Sequence, residues 1–441
     1  MNAMKRRNRI CKRSNRSRNL PVGGASLALA AGFEPSCGDR SSRGRWTAAG
    51  AAVCLAGLLP VVTTTPAYAT LRYNITVLAA PSGGGSYAFG VNTSGQVVGD
   101  VGTYGNYHAF LYSNGIMTDL GTLGGAASYA RGINNSGQIA GYSSTSSGYW
   151  RPFTYSNGAM VAEVPGGGFN NGEALAINNY GQTAGVGWNY VPGQTYASSN
   201  GDAYFTYPSG LAQGLGTLGG YNSVATAIND AAQVVGYSNP PYGNAPYHAF
   251  IYSNGIMTDL GTLGGAASYA RGINDLGQVA GGASTTAAGN FHAFLFSNGT
   301  MTDLGTLGGS FSIANGINNS GQVVGESTMS SSSGAGAAFL YSSGVMYNLN
   351  SLVPTGSGLV LETATAINSN GDIVGYGEYN YQFEAFLLTP STPEPGGFQL
   401  LAAFTASVML LRRKKSVLRL APSTAPRRDK PDAIWGTERE P

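Results

Sequence analysis

The sequence predicts an all-β fold, a seven-bladed β-propeller of four-stranded antiparallel blades, and three observations predict it. A phrase of 27 residues beginning at His108, HAFLYSNGIMTDLGTLGGAASYARGIN, begins again at His248 with one Leu changed to Ile. Two columns run through the middle of the chain in seven interleaved copies. The Phe of HAF recurs at Phe110, Phe153, Phe205, Phe250, Phe294, Phe339 and Phe386; the Asn of GIN recurs at Asn92, Asn134, Asn178, Asn229, Asn274, Asn318 and Asn368. Glycine makes up 67 of 441 residues and 42% are apolar while 10% are charged, which suits many short strands joined by glycine-rich turns.

Each unit of about 45 residues divides into four strand signals, the period and content of a propeller blade. SYARGIN alternates and ends at a turn, GQVVG is a short β-branched run, HAFLYSNG is aromatic, and IMTDLG is the fourth. Asn-Gly between two apolar runs in YSNGIM is a two-residue hairpin signal. INNSGQ places Gly where a longer hairpin needs positive φ. Three hairpins therefore join four neighbouring strands, and the unit breaks at GTLGG. The chain enters with a lone strand of the fourth type, Arg72 to Leu78, and its last unit, EAFLLTPSTP, lacks that strand. The N-terminal strand is thus expected to complete the last blade and hide its edge. An open solenoid is the rival, and it would need capping sequences at both ends.

The two ends differ from the middle. Residues 1–69 read as a basic extension and signal peptide: basic residues to Arg43 and Arg45, an apolar run from Ala48 to Val62, then Ala67-Tyr68-Ala69, which fits the A-x-A rule for cleavage before Thr70. Cys11, Cys37 and Cys54 precede that cut, so the processed chain is expected to hold no disulfide and no Cys-ligated metal. Residues 70–389 carry the repeats. Residues 390–415 hold Pro393-Glu394-Pro395, an apolar stretch from Phe398 to Leu411 expected to form a short helix, and a basic cluster opening with Arg412 and Arg413. An apolar segment stopped by basic residues anchors transiently in a membrane with its charges on the cytoplasmic side. Residues 416–441 read as a disordered extension.

Charge excludes one class of partner. From Thr70 to Leu388 there are four basic residues (Arg72, Arg131, Arg151, Arg271) against fourteen acids, a net −10. Such a body repels phosphate backbones, so nucleic acid is not an expected partner.

Two resemblances add to this reading. The tail, TPEPGGFQLLAAFTASVMLLRRKK, resembles the PEP-CTERM sorting signal of Gram-negative bacteria that make exopolysaccharide; the resemblance implies an exosortase that recognises and cuts it, beside the signal peptidase that acts at Ala69. The phrase HAFLYSNGIMTDLGTLGG with GINNSGQVVG is similar to the HAF extracellular repeat. That family implies export and repetition and supplies no catalytic residues.

Chemistry is sparse. His108, His248 and His292 each open an HAF strand in a separate unit, which suits surface positions better than a shared metal site. The Asn column reads as turn residues that bond local backbone and tolerate left-handed φ. Glu163, Glu173, Asp202, Glu326, Glu362 and Glu378 are the acids outside the repeat positions. A glycosidase would need two of them about 5–10 Å apart, and each reads first as a solvated surface acid. No metal and no cofactor is expected. The units vary most between GQVVG and HAF, in inserts rich in Tyr, Trp, Asn, Ser and Gly, a mixture that gives rigid aromatic area with adaptable hydrogen bonding. Tyr149, Trp150, Trp188, Tyr190, Tyr196, Tyr242 and Tyr247 are the candidate ligand contacts there. The expectation is an exported, non-enzymatic propeller, displayed or secreted, that binds or builds the extracellular polysaccharide matrix. A carbohydrate-active enzyme of propeller fold and a scaffold for a surface protein remain the alternatives.

Overall fold

The computed structural model describes residues 71–391, apart from 82, 104, 190–197, 208, 242–244, 287–288 and 331–335. The cleavage residues Ala67 and Ala69, the sorting residues Pro393, Glu394, Pro395, Arg412 and Arg413, and the expected C-terminal helix lie outside the described residues.

The described chain is all-β and repeats one four-stranded antiparallel sheet, a β-propeller architecture. One unit shows the pattern. Its inner strand Gly124–Ile133 pairs with Ile139–Thr145, that strand with Trp150–Ser156, and that with the outer strand Ala159–Ala162. The hairpin between the last two turns on Asn157 (φ 52°) and Gly158 (φ 81°), and Asn-Gly does the same at 114–115, 254–255 and 298–299; two consecutive positive φ values match the twist of the flanking strands. Where two sheets are joined into one of eight strands, a single parallel pair, Phe291 with Phe311, makes the join.

The second strand of each unit is buried on both faces because neighbouring sheets sandwich it. Val97, Val98, Val234, Val235, Val323 and Val324 are fully buried. The core accordingly lies between units. Val98, Ala109 and Leu120 pack against Ala130, Ile139 and Phe153 of the next unit, and burying each such Phe is worth roughly 1.5–3 kcal/mol. The HAF phenylalanines face the glycine of VVG: Gly99 opposes Phe110 and Gly281 opposes Phe294. A Cβ on Gly99 would overlap the Tyr87 carbonyl and crowd the Phe110 ring, so a side chain there is excluded. This register corrects one column. Gly185 opposes Tyr204, not Phe205. Tyr204 therefore takes the buried Phe place in DAYF, and Asp202 takes the His place.

Each GIN asparagine is buried and makes the same bonds. Asn274 Oδ1 accepts from the amides of Leu276 and Gln278 at 3.1 and 2.9 Å, and its Nδ2 donates to Gln278 Oε1 at 2.8 Å and to the Asn318 carbonyl of the next unit at 3.0 Å. The bond to the next unit recurs from Asn92 to Asn318, and Asn368 Nδ2 donates to the Asn92 carbonyl at 2.8 Å. The bonds to local backbone agree with the turn role expected for these asparagines, but none of them has the left-handed φ. Left-handed backbone falls three residues later, on glycine in six units and on Ala232 (φ 56°) in one.

The first strand, Tyr73–Leu78, pairs antiparallel with the last, Gln382–Pro390, from Tyr73 opposite Pro390 to Leu78 opposite Ala385. Ser86 Oγ lies 2.7 Å from both the Leu78 carbonyl oxygen and Glu384 Oε2 and gives its one proton to one of them, and Thr365 Oγ1 donates to the Ala88 carbonyl at 2.7 Å.

Two substitutions test this packing by chemical denaturation. Asn274→Ala strands the Asn318 carbonyl and two amides, and is expected to cost about 2–3 kcal/mol. Ala232→Gly relieves left-handed backbone on a residue with a Cβ, and is expected to raise stability by about 0.5–1 kcal/mol.

Candidate functional site

Every inner strand described carries a β-bulge at one place, and the bulge builds the site. Pairing skips the residue three before the asparagine: Phe89, Arg131, Leu175, Thr226, Arg271, Asn315 and Thr365. An unpaired bulge residue re-aims its side chain, and all of these line one central cavity of about 340 Å³ together with Tyr237, Glu326, Thr363 and Tyr376. At the asparagine end a cavity of about 240 Å³ is ringed by Asn135, Asn179, Asp230, Asp275 and Asn319. These side chains bond each other's units, as where Asn179 Nδ2 donates to Asp230 Oδ2 at 2.8 Å.

Toward the insert end, Tyr87, Phe89, Asp100, Gly105, Tyr107, Tyr129 and Tyr376 line a cavity of about 550 Å³. Phe89 and Tyr376 belong to both this cavity and the central one, so the two adjoin. The rings interlock. Tyr87 meets Tyr376 edge-on at 5.1 Å and Tyr107 at 6.0 Å, and Tyr129 stacks on Tyr142 at 5.0 Å. In each of these two cavities one carboxylate appears among the described lining residues, Glu326 in the central cavity and Asp100 in the aromatic one.

Arg131 holds this wall in place. Its Nη1 donates to Asp100 Oδ1 at 2.8 Å and its Nη2 to the Tyr142 hydroxyl at 3.1 Å, while the guanidinium lies 4.1 Å from the Phe89 ring centre. The ion pair is buried, with side-chain exposures of 19% for Arg131 and 7% for Asp100. Burial pushes the Asp100 carboxyl up, to about 7, against the opposing pull of Arg131. Burial likewise pushes the Tyr142 and Tyr87 hydroxyls up to about 12, so both stay neutral donors across ordinary pH.

The residues singled out from sequence divide. Trp150 joins the wall, 5.8 Å from Tyr129 and 5.7 Å from Tyr142. Tyr247 joins a second cluster with Tyr237 at 5.1 Å and Tyr269 at 6.1 Å. Tyr149 lies beneath Arg151, whose guanidinium is 5.8 Å from its ring centre. Trp188 is half-buried opposite Asn171. Tyr190, Tyr196 and Tyr242 lie outside the described residues. The sequence reading did not single out Asp100 and Tyr107, which lie within the insert DVGTYGNY, nor Tyr87, Tyr129 and Arg131, which lie on inner strands outside the inserts. The recurring three-residue offset before each asparagine was the available signal.

The acids are less solvated than expected. Glu163 and Glu326 are half-buried and accept from Thr183 and Thr363 hydroxyls at 2.9 and 2.6 Å; Glu378 is exposed. The histidines pin hairpins: Nδ1 of His108, His248 and His292 lies 2.8 Å from Asp119, Asp259 and Asp303 on the outer strand. Among the described residues no group of three or more His, Cys, Asp or Glu is placed to hold a metal ion.

Neither a family model nor a curated protein matches the chain. Similar solved structures include TolB from Acinetobacter baumannii (12% identity, TM-score 0.40, covering 68% of this chain and 64% of that one). Others are Pyrococcus horikoshii acylaminoacyl peptidase (11%, 0.43, 72% and 54%) and a point mutant of Aleuria aurantia lectin in complex with α-methyl-L-fucoside (10%, 0.33, 74% and 97%). The chain spans less than two thirds of the length of the first two. At these identities and scores nothing about activity passes from them to this protein.

Asp100 offers a test by carboxyl NMR, with a titration midpoint expected near 7. Because that value lies above the roughly 4 of an unfolded Asp, its contribution to stability is full below about 4 and is lost as pH rises through about 7. The stability of the native protein relative to Asp100→Asn is therefore expected to fall between those limits. A constant difference contradicts this.

Proposed function

We propose that this protein is an exported, closed seven-bladed β-propeller whose insert face binds glycan as a non-enzymatic component of the extracellular polysaccharide matrix. The observation that carries the reading is the aromatic cavity of Tyr87, Phe89, Tyr107, Tyr129 and Tyr376. Flat aromatic faces stack on the apolar faces of sugar rings, and the tyrosine hydroxyls supply polar contacts that fix orientation. Seven four-stranded groups, the pairing of the first strand with the last, and the bond from Asn368 back to Asn92 support the closed ring. Export rests on the signal-like segment ending at Ala69, on the HAF-type repeats, and on the tail resembling a PEP-CTERM signal, for which signal peptidase and an exosortase are the processing partners.

Two experiments test this. In titration calorimetry against oligosaccharides prepared from bacterial exopolysaccharide, Tyr107→Ala is expected to weaken binding roughly threefold to tenfold with the fold retained. Absence of glycan binding, or release of reducing ends during incubation, overturns the reading. Mass spectrometry of the secreted protein is expected to find Thr70 at the N-terminus and no peptide containing Arg412 or Arg413; recovery of the Arg412 peptide contradicts the sorting step.

A further inference from the structure

The duplicated phrase places the same arginine in two settings. Arg131 and Arg271 stand at the same place in SYARGIN, each on the bulge of an inner strand. Arg131 is neutralised by Asp100 from the preceding unit. The residue at the Asp100 place before Arg271 is Tyr237, since Gly99 and Gly236 occupy the same position opposite Phe110 and Phe250. Arg271 therefore has no acid waiting for it. It is exposed to the central cavity, its Nη1 donates to the Asn315 side chain at 3.0 Å, and no carboxylate among the described residues lies within ion-pair distance.

We infer that Arg271 receives a carboxylate of the ligand, so that the glycan bound is an acidic one carrying uronate-type sugars. This rests on the glycan-binding reading above. Three features support it. In a body of net −10 the cavity concentrates two of four basic residues, and of these two only Arg271 has no carboxylate paired with it among the described residues. The guanidinium fork matches a planar carboxylate with two parallel N–H bonds. Tyr237 and Tyr376 line the same cavity and supply aromatic area beside Arg271 for the sugar that bears the acid. Glu326 in the same wall repels a second negative charge, which favours a singly charged carboxylate over a phosphate dianion.

Calorimetry with the native protein at low and moderate salt tests this, using oligogalacturonate, its methyl ester and a galactose-6-phosphate glycan as probes. Oligogalacturonate is expected to bind about tenfold more tightly than the ester, with the difference shrinking as salt rises. Arg271→Gln is expected to erase that difference between acid and ester; Arg271→Lys retains part of it. If the native protein binds acid and ester equally, or if Arg271→Gln keeps the preference, the inference fails and glycan binding stands. Tighter binding of the phosphorylated glycan overturns the carboxylate assignment. If none of the bacterial oligosaccharides used above binds either, the glycan reading fails and the inference with it.

Discussion

A buried asparagine carboxamide that reaches from one unit to the next is the interaction on which the rest of the structure depends. Its oxygen accepts two amides of its own turn, and its nitrogen bonds a glutamine of the same turn and the carbonyl of the neighbouring asparagine. All the hydrogen-bonding capacity of the group is used, which is what makes burial of so polar a side chain favourable. Because each asparagine both shapes its own hairpin and holds the next, the inner strands are fixed in a common register. Aspartate cannot replace it, having no donor to offer the neighbouring carbonyl. In the last unit Asp372 instead takes the place of the glutamine, where only an acceptor is needed.

Fixed register has a consequence for the cavity. In every unit the inner strand must pass the glycine of VVG so closely that no Cβ fits, and the HAF ring closes over that glycine. One extra residue is accommodated just beyond, as the bulge, and falls out of the ladder pairing. The scaffold thereby delivers a varied set of side chains to the central cavity. These positions hold Phe, Arg, Leu, Thr, Arg, Asn and Thr, whereas the alanine before each is invariant within the chain. Variation sits where the backbone leaves it room.

The duplicated phrase shows how context, not local sequence, sets electrostatics. Arg131 and Arg271 lie in the same 27-residue phrase and line the same cavity, yet one is half-buried in an ion pair and the other is exposed without one among the described residues. The difference comes from what surrounds each: Asp100, Phe89 and Tyr142 beside Arg131 stand where Tyr237, Thr226 and Gly282 stand beside Arg271. Burial raises Asp100 and Arg131 opposes the rise, so the first arginine is committed to the aromatic wall and only the second keeps its charge available.

Much of this was determined by the sequence alone. Seven recurrences of Asn and of the buried aromatic set the number of units, Asn-Gly set the hairpins, and glycine-rich breaks set the boundaries, because each is a local requirement of backbone geometry. The missing fourth strand at one end and the surplus strand at the other identified the pairing of Tyr73–Leu78 with Gln382–Pro390. Only the tertiary structure decided the site. The shift that puts Tyr204 in place of Phe205, the bulge that turns Arg131 and Arg271 inward, and the meeting of Tyr87 with Tyr376 from opposite ends of the chain all depend on register between strands. Register is a relation between segments far apart in sequence, and no single segment encodes it.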